Sequence, residues 1–263
     1  MKSLKKIRGF LLDMDGTFYL GDKLLPGALE FLRVLNSKGI PFLFLTNNSS
    51  KSAEDYQRKL TALGVEVEDA RVMTSGDATI AYLLAEHADQ KVFLMGTESL
   101  RQSFAEAGVR LEEEDPQVAV LGFDTGLAYK RLARFCDLVR AGLPYIATHP
   151  DFNCPVEGGM IPDVGSFMAL IEASTGRKAD VVIGKPNRMI ARAAAARMGV
   201  AVEDLCMVGD RLYTDIALGE KAGIATCLVL SGETSLEDLP GSPFQPDWIC
   251  QDLAGLTQVF RET

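Results

Sequence analysis

Cysteine is scarce in this chain, and its spacing excludes two kinds of site. The 263 residues include 5 cysteines, scattered from Cys136 to Cys250 without a CxxC pair. An odd number of cysteines without that spacing fits neither a disulfide framework nor a cysteine-ligated zinc site. We therefore expect the cysteines to be reduced thiols of the core or of loops.

Long apolar runs are absent as well. No segment approaches the ~20 consecutive apolar residues that a membrane-spanning helix needs. The N-terminal MKSLKKIRGFLL is basic and then briefly apolar, but its apolar stretch ends at Asp13 and is too short for the core of a signal peptide. We therefore expect no membrane partner and a cytoplasmic location.

The chain also lacks an excess of basic residues, since its formal net charge is −9 at pH 7. Nucleic acids and anionic membranes are bound by clustered Lys and Arg, so this charge argues against both as partners. A small anionic substrate remains compatible with it. Surface charges are screened beyond about 8 Å, whereas a lysine or a metal ion in direct contact with the substrate is screened far less.

Short apolar runs alternate with amphipathic stretches of helical period along the whole chain. This alternation predicts an α/β fold, in which helices cover both faces of a parallel sheet. One helix, for example, is predicted over 28–38, because its leucines share a face and Gly39 follows as a stop signal. The predicted strands are 9–12, 41–45, 92–95, 118–121, 145–147, 181–183, 206–208 and 225–230.

Polar residues directly follow four of these predicted strands. In open α/β sheets, ligands bind beyond the carboxyl ends of the strands, so we expect these residues to converge at one edge of one sheet. Carboxylates, a hydroxyl, amides and a lysine together suit phosphoryl transfer. The four strand ends read Asp13-Met14-Asp15-Gly16-Thr17, Thr46-Asn47-Asn48-Ser49, Gly184-Lys185-Pro186 and Gly209-Asp210.

Asp13 and Asp15 are two residues apart, which places both side chains on one side of an extended chain. Two close carboxylates repel each other unless a cation lies near them or one is protonated. Mg²⁺ suits this arrangement, and Asp210 is expected to supply an opposing carboxylate from a neighbouring strand. Asp13 is then predicted to attack phosphorus and form an aspartyl-phosphate, while Asp15 serves as the general acid and base.

Thr46, Asn47 and Lys185 are predicted to hold the phosphoryl oxygens, where charge accumulates in the transition state. Each feature also has an ordinary structural explanation. Asp-Gly is a common turn, Gly-Lys-Pro commonly starts a helix, and Thr or Asn often caps one. All four motifs occur in one chain, each at the end of a predicted strand, and this favours the catalytic interpretation.

The segments DMDGT, TNN, GKP and GDRLYTD resemble, in this order, the motifs of the haloacid dehalogenase-like hydrolases. The insertion between Thr46 and Lys185, with its stretch ATHPDFNCPVEGGMIPDVGS, resembles the NagD-like subfamily, which includes 4-nitrophenyl phosphatases and sugar-phosphate or nucleotide phosphatases. The resemblance covers essentially the whole chain. It implies a Rossmann-like, doubly wound core of residues 1–76 and 181–263 with an inserted smaller α/β cap domain at 77–180.

The resemblance also implies a role for single residues. Asp13 is the nucleophile, Asp15 is the acid and base, and Asp215 orients metal-bound water or Lys185. The implied Mg²⁺ ligands are the Asp13 carboxylate, the Asp15 main-chain carbonyl and the Asp210 carboxylate; the implied phosphate contacts are Thr46, Asn47 and Lys185.

The function expected from these observations is hydrolysis of a small phosphomonoester, such as a sugar phosphate, a nucleotide or an aryl phosphate. The cap is expected to choose the substrate, with residues 149–165 as its leading candidate for contacting the leaving group. A phosphoryl-transferase or phosphomutase stays open, because an aspartyl-phosphate can pass its group to an acceptor other than water. A catalytically quiet regulatory module stays open as well. A homodimer through the cap is expected by analogy.

Overall fold

The computed structural model describes residues 6–156 and 158–261 of the chain. The first residues of the N-terminal segment, on which the signal-peptide prediction was made, lie outside the described residues. Over the described ranges, none of the helices combines the length and the apolar character needed to cross a membrane.

Strands and helices alternate along the chain, and the predicted α/β class is confirmed. The strands are β1 (Gly9–Leu12), β2 (Tyr19–Leu20), β3 (Lys23–Leu24), β4 (Phe42–Thr46), β5 (Val72–Thr74), β6 (Val92–Met95), β7 (Val118–Leu121), β8 (Tyr145–Ala147), β9 (Asn153–Val156), β10 (Gly159–Pro162), β11 (Val181–Val182), β12 (Leu205–Gly209), β13 (Ala225–Val229) and β14 (Trp248–Cys250). The α-helices are α1 (Ala28–Ser37), α2 (Ala53–Ala62), α3 (Ser75–Glu86), α4 (Glu98–Glu106), α5 (Tyr129–Arg140), α6 (Val164–Thr175), α7 (Arg188–Met198), α8 (Ala217–Ala222) and α9 (Leu253–Arg261).

The described residues form two compact units. The first unit runs up to Thr46, resumes over Glu54–Met73 and continues from Lys185 onward; the second unit comprises Asn47–Ala53 and Thr74–Gly184. The predicted boundaries at 77 and 180 lie just inside the ends of the longer piece of the second unit. The short segment 47–53, which the prediction placed in the core, clusters with the second unit.

The first unit contains a six-stranded sheet with the order β14-β13-β12-β1-β4-β5. Its central strand β1 pairs in parallel with β12 and with β4. All four residues of β1 are buried, as expected for a parallel strand that is covered on both faces. On one face, Phe10 packs edge-on against Phe31 of α1 and Phe260 of α9, with ring centroids 5.3 and 5.4 Å away.

The second unit contains a four-stranded sheet with the order β11-β8-β7-β6. Its core is apolar and aromatic: Phe135 of α5 packs against Phe93 of β6 and edge-on against Tyr145 of β8. The strands β9 and β10 form a separate antiparallel ribbon in the same unit. The second unit thus has its own sheet and its own hydrophobic core.

One strand lies in a different sheet from the one predicted. The run at 181–183 was expected to stand beside the strands that precede Asp13 and Asp210, but β11 pairs in parallel with β8 in the sheet of the second unit. That prediction was wrong. The strand has only two residues and both are half-buried, which is compatible with its position at the edge of the sheet. A short apolar run in the sequence does not specify which sheet the strand joins. Lys185 nevertheless belongs to the first unit.

Candidate active site

The loop after β1 places the first two predicted site residues in a tight turn. The Asp13 amide donates to the Val208 carbonyl at 2.9 Å, so the chain stays paired with β12 until the turn begins. The amide of Phe18 then donates to the Met14 carbonyl at 2.8 Å, and Gly16 adopts a positive φ of 83°. Glycine takes up this backbone conformation at little cost, which explains the DMDGT sequence locally.

Lys185 is shared by two carboxylates of the first unit. Its ammonium contacts Asp13 Oδ1 and lies 2.7 Å from Asp215 Oδ1 and 3.4 Å from the Leu45 carbonyl oxygen. The lysine side chain is only 3% exposed. Burial by itself lowers the pKa of Lys185, but the charges of Asp13 and Asp215 raise it above its usual value. Lys185 is therefore a buried cation.

Three acidic side chains of the first unit converge around this lysine. Asp13, Asp210 and Asp215 each offer a carboxylate oxygen, and these oxygens lie within 4.8 Å of one another. Burial raises the pKa of Asp13 to about 8 against the opposing charge of Lys185, and burial raises the pKa of Asp210 to about 6. The neighbouring Asp215 charge contributes to both of these raised pKa values. Lys185 and the nearby Arg211, which is paired with Glu233, do not balance all of the ionised carboxylates around them, and a divalent cation with oxygen ligands would neutralise the remaining negative charge.

Asp215 is fixed in place by the segment that follows β12. Its amide donates to the Arg211 carbonyl at 3.0 Å, and its Oδ2 accepts from the Arg211 amide at 3.2 Å. A side chain at Gly209 would overlap the Asp215 carboxylate, so glycine is required there. The family resemblance implied that Asp215 orients metal-bound water or Lys185, and the structure places Asp215 both against the lysine and in the acidic cluster.

Asp15 follows Asp13 by two residues and is exposed. The Tyr19 hydroxyl of the β2–β3 hairpin donates to Asp15 Oδ2 at 3.4 Å. The Lys59 ammonium lies 4.0 Å from the centroid of the Tyr19 ring and covers it. Tyr19 was not recognised as a site residue from the sequence, because a tyrosine between apolar neighbours has the pattern of an ordinary core residue.

The predicted phosphate contacts Thr46 and Asn47 fall in different units. Thr46 is the half-buried last residue of β4 in the first unit. Asn47 belongs to the second unit, where its side-chain Nδ2 donates to both carboxylate oxygens of Asp151 at 3.1 Å. The main-chain carbonyl of Asn47 accepts a hydrogen bond from the Ser75 hydroxyl. The structure thus brings Asp13, Lys185 and Asp210 together in one unit, and it places Asn47 in the other.

A fifth strand end also reaches the site. The strand at 225–230 was predicted, but the Ser231-Gly232-Glu233 segment after it was not recognised as part of the site. The Glu233 amide donates to Asp210 Oδ2 at 2.7 Å, and the Ser231 hydroxyl donates to the Gly16 carbonyl at 2.8 Å. The rule that ligands bind beyond the carboxyl ends of strands was the available signal, since it applies to this strand as well.

Comparisons with known proteins agree over nearly the whole chain. Residues 10–110 match the family described as haloacid dehalogenase-like hydrolase, and residues 182–256 match the HAD-like hydrolase family. The acid sugar phosphatase of Staphylococcus haemolyticus is 36% identical over 95% of this chain and 95% of its own length. The 5′-nucleotidase YutF of Bacillus subtilis is 35% identical over 92% of this chain and 94% of its own length.

Solved structures give the same result. The 4-nitrophenylphosphatase of Thermotoga maritima is 51% identical, with a TM-score of 0.94 over 97% of this chain and 98% of that chain. NagD from E. coli K-12 is 34% identical, with a TM-score of 0.87 over 94% of this chain and 97% of that chain. The predicted resemblance to NagD and the 4-nitrophenylphosphatases and the predicted enzyme class, a phosphatase, are confirmed at the level of the family. Identity at this level, spread over both units, shows that the chain belongs to the haloacid dehalogenase-like hydrolases.

Proposed function

We propose that the protein is a Mg²⁺-dependent phosphatase that hydrolyses small phosphomonoesters through an aspartyl-phosphate formed on Asp13. The observation that supports this most directly is the contact of the buried Lys185 ammonium with Asp13 and Asp215. A carboxylate nucleophile needs positive charge beside it to approach an anionic phosphoryl group, and this lysine supplies part of that charge.

The donor set of the site fits a magnesium ion. Asp13 and Asp210 would hold it through their carboxylates and Asp15 through its main-chain carbonyl, with Asp215 next to them in the acidic cluster. The pKa values of Asp13 and Asp210 are raised first by burial and then by the neighbouring carboxylates, and a bound cation would stabilise the charged form of both groups. When bound, Mg²⁺ neutralises these carboxylates and the developing charge of the phosphoryl group.

In the first step of the proposed reaction, an Asp13 carboxylate oxygen attacks the phosphorus atom. The bond between phosphorus and the leaving-group oxygen breaks, and Asp15 gives its proton to that oxygen. The products of this step are the free alcohol and an aspartyl-phosphate on Asp13. Asp15 is exposed and carries the Tyr19 hydrogen bond, so its side chain can meet a substrate while it is held at one oxygen.

In the second step, Asp15 is a carboxylate and takes a proton from a water molecule that attacks phosphorus. The acyl-phosphate bond breaks, inorganic phosphate leaves, and the Asp13 carboxylate is restored. Lys185, Thr46 and Asn47 are proposed to hold the non-bridging oxygens in both steps. The burial of Lys185 strengthens this role, since charge interactions are screened less where water is excluded.

The second unit is proposed to choose the substrate, in the way that an inserted cap does. The relatives are named for sugar phosphates, 5′-nucleotides and 4-nitrophenyl phosphate, so we propose these classes as the substrates to be tested. The predicted leaving-group segment 149–165 contains the β9–β10 ribbon, on which Met160 is exposed. Phe152, just before the ribbon, is exposed as well. Apolar side chains available to a ligand support contact with the sugar, base or aryl part of a substrate.

The experiment is the hydrolysis of 4-nitrophenyl phosphate by the full chain with Mg²⁺ and with EDTA. The wild type is compared with Asp13→Asn and with the control Asp115→Asn, whose side chain is 90% exposed. We expect turnover only with metal, loss of turnover in Asp13→Asn and wild-type turnover in the control. Equal activity in wild type and Asp13→Asn would overturn the mechanism. Loss of the substrate ester without an equal release of inorganic phosphate would favour transfer to another acceptor.

A further inference from the structure

The segment after β13 folds back onto Asp210. The Glu233 amide donates to Asp210 Oδ2 at 2.7 Å, and the Thr234 amide donates to the Asp210 carbonyl at 3.2 Å. Both the side chain and the main chain of Asp210 are therefore held by consecutive amides of one loop. A carboxylate that accepts a main-chain amide has its orientation fixed by the backbone.

Gly232 lies directly against the same side chain. A Cβ atom at Gly232 would overlap the carboxylate carbon and the Cβ atom of Asp210. Gly232 is not among the glycines with positive φ, so space and not backbone conformation requires glycine there. Gly16 also lies against this carboxylate, because a Cβ atom there would overlap Asp210 Oδ2 and would lie 3.1 Å from the Gly232 Cα atom. Two glycines thus lie against the Asp210 carboxylate.

Hydrogen bonds connect the two glycine-bearing loops across Asp210. The Ser231 hydroxyl donates to the Gly16 carbonyl at 2.8 Å. The Thr17 hydroxyl lies 3.5 Å from Asp210 Oδ1, while Oδ2 accepts from Glu233. Each oxygen of the carboxylate therefore has its own donor, and rotation of the side chain would break at least one of these bonds.

The loop is itself anchored to the chain that follows Asp210. The Glu233 carboxylate lies 2.9 Å from Arg211 Nε and accepts from the Tyr213 hydroxyl at 2.8 Å. The loop is thereby connected to the segment between β12 and α8, which also carries Asp215. Hydrogen bonds thus join the loop both to Gly16 in the turn after Asp13 and to Tyr213 in the segment before Asp215.

From these contacts we infer that Ser231-Gly232-Glu233 is a positioning element of the metal site, which holds the Asp210 carboxylate in the one orientation that binds Mg²⁺. The inference rests on the proposed function, in which Asp210 is a metal ligand. Groups that orient a ligand from outside typically set metal affinity by about 10- to 100-fold. Gly232 and Ser231 act through Asp210 and do not contact the substrate in this proposal.

The test is Gly232→Ala against the matched control Gly241→Ala, in which an added Cβ atom meets nothing within 4 Å. The Mg²⁺ dissociation constant of the metal-stripped full chain is measured by titration calorimetry, together with the Tm of the stripped form. We expect binding about 10- to 100-fold weaker in Gly232→Ala and unchanged in Gly241→Ala. An unchanged dissociation constant in Gly232→Ala overturns the inference.

A second variant covers a failure of Gly232→Ala to fold. Ser231→Ala removes only the hydroxyl that bonds the Gly16 carbonyl, and it should weaken Mg²⁺ binding several-fold at an unchanged Tm of the stripped form. Binding equal to wild type in this variant overturns the inference. A wild type that neither binds Mg²⁺ nor hydrolyses a phosphomonoester overturns the proposed function. A wild type that binds Mg²⁺, with variants that bind equally well, overturns only the positioning role.

Discussion

Lys185 Nζ lies 2.7 Å from Asp215 Oδ1 and contacts Asp13 Oδ1 as well, so one buried ammonium serves two carboxylates that are far apart in sequence. Lys185 and Arg211, which is paired with Glu233, together carry less charge than the ionised carboxylates around them. The contribution of each of these charged groups can be tested by removing it.

Lys185→Met removes the cation and leaves Asp13 and Asp215 without their shared counter-ion. We expect the free energy of unfolding of the metal-free protein to fall by about 3 kcal/mol, since breaking a buried ion pair leaves uncompensated charge. Turnover should fall at least about 100-fold, because a donor to the transition state is lost. Urea unfolding and steady-state kinetics measure both. A variant as stable as wild type would contradict the counter-ion role.

Mg²⁺ should stabilise the folded protein, because it binds carboxylates that only the folded chain brings together. At a concentration 100-fold above its dissociation constant, the expected gain is about 2.7 kcal/mol, which appears as a rise in Tm. Asp210→Asn should lose most of this rise, whereas Asp115→Asn, at an exposed position, should keep it. Thermal unfolding with Mg²⁺ and with EDTA decides this, and an equal rise in Asp210→Asn would exclude Asp210 as a ligand.

Tyr19→Phe removes the hydroxyl that donates to Asp15 and keeps the ring beneath Lys59. Asp15 protonates the leaving oxygen in the proposed mechanism, and this matters most for a poor leaving group. We expect kcat to fall several-fold with an alkyl phosphate and much less with 4-nitrophenyl phosphate. Tyr129→Phe, at an 84% exposed position, is the control. Equal losses on both substrates would show that Tyr19 does not act through Asp15.

Phe10→Ala tests the packing that supports the loop of Asp13. Phe10 is fully buried and packs edge-on against Phe31 and Phe260, so truncation should cost about 3–5 kcal/mol of unfolding free energy. The control Phe152→Ala removes a ring that is 61% exposed and should change stability by less than about 0.5 kcal/mol. Urea unfolding measures both, and similar values for the two variants would contradict this packing.

The sequence predicted which charged residues lie together better than it predicted the strands that carry them. Asp13, Lys185 and Asp210 were recognised because several polar motifs follow predicted strands in one chain, although each motif alone has an ordinary structural explanation. The strand before Lys185 was assigned to the wrong sheet, since pairing of β11 with β8 depends on contacts distant in sequence. The strands β5 and β14 and the hairpin strands β2, β3, β9 and β10 were not among the predicted strands.

The positioning loop was missed for a different physical reason. The Glu233 group that bonds Asp210 is a main-chain amide, which every residue except proline has, so the side chain gives no signal. Gly232 is required because of the space that Asp210 occupies, and that space is defined only in the folded chain. Such roles follow from three-dimensional contacts and not from residue type.

The order of the first sheet also has a consequence for synthesis of the protein on the ribosome. Central strand β1 pairs with β12, which joins Gly9 to Leu205, so the middle of this sheet stays open until most of the chain has been made. The sheet of the second unit, from β6 to β11, is complete in sequence before β12 emerges. Domains generally fold as units while the chain is made. The inserted unit can therefore fold before β12 is available to pair with β1.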